Sequence, residues 1–173
     1  MKLFAFALSV VLVLSLFTLF PSFHLALFGD DWLVFYRYLK DLGPESSGPY
    51  NNFTFLFTPY GSFDVLMGFL RNFFGYDSTP YYIVSYIFRL IASISFYPII
   101  NYLTKNKLAA IFSMIFFSVT PIGLDTTNWV FNMPSYITIA LFNLFLYFFF
   151  LSRKTGKSKL FLLSGLLPCC RRL

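Results

Sequence analysis

Two adjacent carboxylates, Asp30 and Asp31, end a long apolar run in the stretch LFGDDWLVFYRYLKDLGP, Leu27 to Pro44. The chain holds only 7 Asp and Glu in 173 residues, so a side-by-side pair where it leaves a membrane needs a reason. Two carboxylates at such a point can divide the work: one takes a proton as general base, and the other orients a substrate or ligates a divalent cation. The plainer role is structural. An Asp at a helix N-terminus accepts from orphan backbone N–H groups and meets the positive end of the helix dipole, worth about 0.5–2 kcal/mol. One carboxylate satisfies that need, a second adds repulsion, and both roles stay open for the pair.

Arg89 is the second outlier. It lies well inside the apolar run YIVSYIFRLIASISF, where an arginine costs about 2.5–3.5 kcal/mol on membrane insertion. Its long stem could snorkel outward, or its guanidinium could pair with an acid of the outer loop. It could equally be held to grip a phosphate near the outer leaflet, which its planar fork binds through two parallel hydrogen bonds.

Two further groups carry polar side chains at helical spacing. In GLDTTNWVFNMPSY, the residues Asp125, Asn128, Trp129 and Asn132 share one face if the segment is helical. An acid, two amides and an indole make a surface suited to a sugar, with an interfacial aromatic belt as the alternative. In SFDVLMGFLRNFFG, the residues Asp64, Gly68, Arg71 and Asn72 fall on one stripe while Phe63, Leu66, Met67, Leu70 and Phe74 cover the rest. That pattern predicts a short helix lying in the membrane interface. His24 stands alone as the one histidine and reads as interfacial.

The elements that must position these groups follow from composition. The chain is 58% hydrophobic, 23% aromatic and 12% charged, about half the charge of a soluble domain, which predicts an all-α, polytopic transmembrane bundle of about four or five spans. Residues 1–28 form the first transmembrane helix, kinked at Pro21. Residues 29–80 are an outer loop with the acidic pair and the interfacial helix. Residues 81–151 hold three transmembrane helices, about Tyr81–Leu103, Leu108–Ile122 and Ser135–Leu151, with a short outer loop at 123–134. Residues 152–173 read as a basic cytoplasmic loop and a truncated fifth segment. The purely basic connectors TKNK (Thr104–Lys107) and SRKTGKSK (Ser152–Lys159) place themselves and the N-terminus in the cytoplasm, so the acidic pair faces out. A net charge of +6 is then a topology signal; no basic patch is dense enough to track nucleic acid. Cys169 and Cys170 are neighbours without further cysteines or histidines to complete a zinc site.

The order of these parts, with GDDW (Gly29–Trp32) just past the first span and an interfacial helix in a large outer loop, resembles the N-terminal part of the GT-C glycosyltransferases over about residues 1–150. These are integral-membrane enzymes such as protein O-mannosyltransferases and the lipid A aminoarabinose transferase. The resemblance implies a polyprenyl-phosphate-linked sugar donor in membrane lipid, an acceptor hydroxyl on the outer face, and a multi-pass protein of a bacterial or archaeal plasma membrane. It implies that Asp30 or Asp31 deprotonates the acceptor, and that a cation such as Arg89 stabilises the departing lipid phosphate. Asp64, Arg71, Asp125, Asn128, Trp129 and Asn132 would then line the substrate site. Some members hold a divalent cation at the acidic pair and others do not.

Members of that family usually have many more spans, often with a soluble outer domain, whereas this sequence stops within its fifth apolar segment, and its ending GLLPCCRRL reads as a truncation or frameshift. The rival readings are non-enzymatic: a transporter or flippase fragment with Arg89 and the acids along a polar path, or a membrane scaffold.

Overall fold

The computed structural model describes residues 2–29, 31–32, 61–120 and 129–156, and all regular structure among them is helical. Five α-helices follow in chain order: α1 (Lys2–Leu19), α2 (Gly61–Phe74), α3 (Ser78–Thr104), α4 (Lys107–Val119) and α5 (Pro134–Thr155). Short 3-10 turns occupy Phe20–His24 and Val130–Asn132. The chain is all-α and polytopic. Three stretches, Phe4–His24, Ser78–Thr104 and Pro134–Thr155, are long and apolar enough to cross a membrane, with 21, 27 and 22 residues. At 1.5 Å per residue they reach roughly 30–40 Å, enough for a hydrocarbon core of about 30 Å. The 13 residues of α4 reach about 20 Å. The expected span there runs on to Ile122, outside the described residues, as does the segment Leu160–Leu167.

Local chemistry sets the ends of these helices. Pro21 offers no N–H to a preceding carbonyl, and α1 tightens into the 3-10 turn at Phe20–His24 before the backbone turns extended at Leu25 and leaves the helix. At the start of α3 the Asp77 carboxylate accepts from the Thr79 N–H (3.1 Å). Asn106 caps α4 by accepting from Leu108 and Ala109 N–H at 2.9 and 3.2 Å. Gly75 and Gly156 follow α2 and α5 with φ of +58° and +66°, the left-handed cap that glycine adopts most cheaply.

On α3 and α4 the side chains divide into an exposed apolar face and a buried face. On α3, Ile83, Ile87 and Ile91 repeat every four residues and are exposed, while Ser85, Arg89 and Ser93 repeat on the opposite side and are buried. On α4, Leu108, Phe112 and Phe116 form the exposed stripe and Ala110 and Met114 the buried one. On α3, which is long enough to span a membrane, such an exposed apolar stripe is a surface suited to acyl chains.

The described chain forms two compact units. The first comprises Met1–Ser15, Leu90–Thr120 and Tyr136–Leu173. Within it Phe4 packs on Tyr97 (4.6 Å), Phe96 on Phe117 (4.8 Å), and the Tyr102 hydroxyl donates to the Phe150 carbonyl (3.0 Å). Asn143 of α5 is buried and donates to Ser95 Oγ of α3 (2.9 Å), which itself donates to the Ala92 carbonyl. Hydrogen bonds of this kind between membrane helices contribute about 0.6–2 kcal/mol. Asn143→Leu is expected to lower the unfolding free energy by that amount, with Ser95→Ala non-additive with it; additive losses in a double-mutant cycle would contradict the bond.

The second unit comprises Leu16–Arg89 and Pro121–Ser135. Its core joins Leu27, Met67, Leu70, Tyr81, Tyr82, Val130 and Met133, with Phe23, Phe74 and Trp129 packed against it. Charge follows the same division. By sequence the first unit carries nine of the 13 Lys and Arg and none of the 7 acids, and all the acids belong to the second.

Candidate functional site

The second unit gathers the chemistry-bearing residues around the exit of the first span. There the chain is pinned by the start of α3: Thr79 Oγ1 donates to the Phe23 carbonyl (3.4 Å), and the Tyr82 hydroxyl donates to the Ala26 carbonyl (3.0 Å). Phe23 also meets the Tyr86 ring edge-on at 5.7 Å. Leu25–Phe28 has no helix of its own to satisfy its carbonyls, and side chains supply the donors: Tyr82 for Ala26, and the Trp32 indole Nε1 for Leu27 (2.9 Å).

The turn that follows is built by Asp31. Its Oδ2 accepts from the Phe28 N–H (3.1 Å), while its own N–H donates to the Phe28 carbonyl (3.1 Å). This is the reach-back half of a capping box, with Asp31 three residues past the capped position. Asp31 is 0% exposed and lies within electrostatic range of Tyr82. The first-turn acid foreseen in the sequence is therefore present, and Asp31 fills it. Asp30 lies outside the described residues.

Gly29 opens the turn with φ +53°, and its open side faces the indole of Trp129, whose Nε1 would stand 3.8 Å from an added Cβ. Gly29 and Trp129, a hundred residues apart in the chain, thus meet. That indole Nε1 is buried and makes no hydrogen bond among the described residues. At 3.8 Å an alanine methyl would have room, so the cost of Gly29→Ala is the left-handed backbone alone. A loss of about 1–2 kcal/mol is expected in thermal unfolding; no loss would mean the turn relaxes.

The helical face proposed for Asp125, Asn128, Trp129 and Asn132 does not extend through Trp129. Its backbone is extended, with φ −110° and ψ 95°, and the 3-10 turn begins only at Val130. Burial explains this, because Val130 and Met133 are drawn fully into the core and fix the segment by packing rather than by helical pairing. Asn132 is half-buried, with its N–H on the Trp129 carbonyl (2.9 Å). Asp125 and Asn128 lie outside the described residues.

On α2, Met67 and Leu70 are buried and Phe69 and Phe73 are exposed, with their rings 5.0 Å apart. Gly68 is buried too, so the stripe of Asp64, Gly68, Arg71 and Asn72 is not a continuous outer face; the side chain of Asp64 lies outside the description. Arg71 donates to the Tyr76 hydroxyl (2.7 Å) and lies 5.0 Å from the centre of its ring. Tyr76 in turn stacks on Trp32 at 6.0 Å and 25°, and both rings are half-exposed. Sequence reading missed this Trp32–Tyr76–Arg71 stack because nothing local joins residues 32 and 76.

Arg89 is 1% exposed and engaged by protein groups, so it does not snorkel to the surface. Ser85, one turn before it, is fully buried and its hydroxyl makes no hydrogen bond among the described residues. The spacing of Ser85, Arg89 and Ser93 at every fourth residue is the signal that could have marked the face in advance. His24 is exposed, its ring 5.1 Å from Phe20, as suits an interfacial residue. Among the described residues no group of three or more His, Cys, Asp or Glu is placed to hold a metal ion. No protein-family model matches the chain, and neither a curated protein nor a solved structure is found to be similar to it.

Proposed function

We propose that the protein is a GT-C-like glycosyltransferase, moving a sugar from a polyprenyl-phosphate donor to an acceptor hydroxyl on the outer face of the membrane. The observation that carries this reading is the approach of Gly29 to Trp129, which joins the acidic turn to an indole in one packed unit. Asp31 is committed to the Phe28 N–H and fully buried, so the acceptor proton falls to Asp30. The acceptor oxygen attacks the anomeric carbon from the face opposite the phosphate, and its proton passes to the Asp30 carboxylate. The bond from carbon to phosphate oxygen breaks with its electron pair on the phosphate, which leaves unprotonated, so no general acid is required. Arg89 is a buried cation of the same unit, and this reading gives it the charge of the departing phosphate to stabilise.

The Phe28 N–H takes one acceptor site of the buried Asp31 carboxylate, on Oδ2. A scaffold without catalysis is the competing reading, and the buried cap formed by Asp31 favours it to the extent that the acidic pair is structural. Photolabelling with a short-chain polyprenyl-phosphate sugar carrying a diazirine on the sugar separates the two. Adducts within residues 29–32 and 129–132 are expected; adducts scattered over the lipid-facing stripes would favour the scaffold.

A further inference from the structure

The first unit holds a groove of about 350 Å³ that none of this chemistry uses, lined by Tyr97, Pro98, Asn101, Tyr102, Lys105 and Tyr147. We propose that this groove binds the headgroup of an anionic membrane phospholipid, with the Lys105 ammonium on its phosphate.

Position is the first argument. Five of the six lining residues belong to the last turns of α3 and the residue after it, so the groove opens where a membrane span ends, at headgroup depth. Tyrosine is the side chain suited to that depth, with an apolar ring and a polar tip. All three are packed as walls: Phe4 covers Tyr97, and Tyr102 meets Tyr147 edge-on at 6.1 Å while the Tyr102 hydroxyl is tied to Phe150.

Lys105 itself is the second. It has φ +56°, the only positive φ at a residue other than glycine among the described residues, and its N–H caps α3 on the Asn101 carbonyl (3.1 Å). Glycine costs least at that position, as Gly75 and Gly156 illustrate after α2 and α5. A lysine kept there in a strained backbone points to use of its side chain. Its Nζ lies 4.1 Å from the Tyr102 ring centre and donates to the Tyr102 carbonyl, which leaves two of its three N–H donors for an anion.

Charge is the third. Lys107, Arg153 and Lys154 stand at helix ends of the same unit, which by sequence contains no carboxylate to neutralise them. A free phosphate would make no use of the aromatic walls; a lipid headgroup and the start of its acyl chains would.

Lys105→Gly tests the site cleanly, because glycine relieves the backbone and preserves the fold. In native mass spectrometry from mixed micelles, the wild-type protein is expected to retain phosphatidylglycerol over phosphatidylcholine. Lys105→Gly is expected to lower phosphatidylglycerol retention about fivefold, the weight of one lysine near an anionic surface. Lys105→Arg should restore it, and Lys154→Gln should change it less than Lys105→Gly. Equal losses in Lys105→Gly and Lys154→Gln would mean a diffuse basic surface and would overturn the groove. Unchanged retention in Lys105→Gly would overturn it as well, and displacement of the lipid by soluble glycerol phosphate would overturn the assignment to a lipid.

Discussion

Asp30→Asn is expected to reduce sugar transfer by at least about 100-fold, the low end of what a positioned general base contributes, with no change in the unfolding midpoint. Asp31→Ala should do the reverse. It removes the side-chain acceptor of the part-buried Phe28 N–H, at a cost of about 1 kcal/mol, while the protein that remains folded keeps its turnover. The contrast depends on neighbouring carboxylates having separate work, one closing the turn and one facing the reaction. Measuring both turnover and thermal unfolding for each variant checks it. If the two variants lose stability together and neither loses turnover per folded molecule, the pair is a helix start and nothing more.

Arg89→Ala is expected to be the most damaging change to the fold. A charge that is 1% exposed within a membrane span survives only because protein groups compensate it. Deleting the guanidinium strands those groups and opens a cavity, for a loss of roughly 3–5 kcal/mol, enough to cost most of the folded protein recovered in detergent. Arg89→Lys keeps the charge and most of the volume but cannot offer two parallel N–H bonds. It should fold and bind a polyprenyl-phosphate donor about tenfold more weakly, the loss of roughly 1.4 kcal/mol expected for one charge-assisted hydrogen bond. A fully stable Arg89→Ala protein would show that the residue is not compensated as its burial requires, and wild-type donor affinity in Arg89→Lys would remove it from the phosphate site.

How much of this was legible in the sequence depends on the range of the interaction. Apolar runs longer than a bilayer is thick, Pro21 in the first segment and the basic TKNK connector are local signals, and each corresponds to a helix or a break in the structure. The acidic pair was legible as a helix start, but which carboxylate forms the cap was not, since that turns on a single hydrogen bond to Phe28. Arg89 stood out by type, yet snorkelling and burial differ only in what packs around α3, which one helix's sequence does not specify. The Gly29–Trp129 approach and the Trp32–Tyr76 stack join residues far apart in the chain, and no periodicity encodes them. Trp129 shows the same limit from the other side: helical spacing suggested a shared face, and burial of Val130 and Met133 overrode it.

The most direct test of glycosyl transfer is release of polyprenyl phosphate. The protein would be reconstituted in proteoliposomes and supplied with a panel of polyprenyl-phosphate sugars and a crude acceptor fraction from the cell envelope. Wild-type protein is predicted to release polyprenyl phosphate from at least one donor, with inversion at the anomeric carbon of the product and with release lost in Asp30→Asn. Release at the same rate from wild type and Asp30→Asn, or from no donor at all, would contradict catalysis by this chain and leave a membrane scaffold with an acidic helix cap.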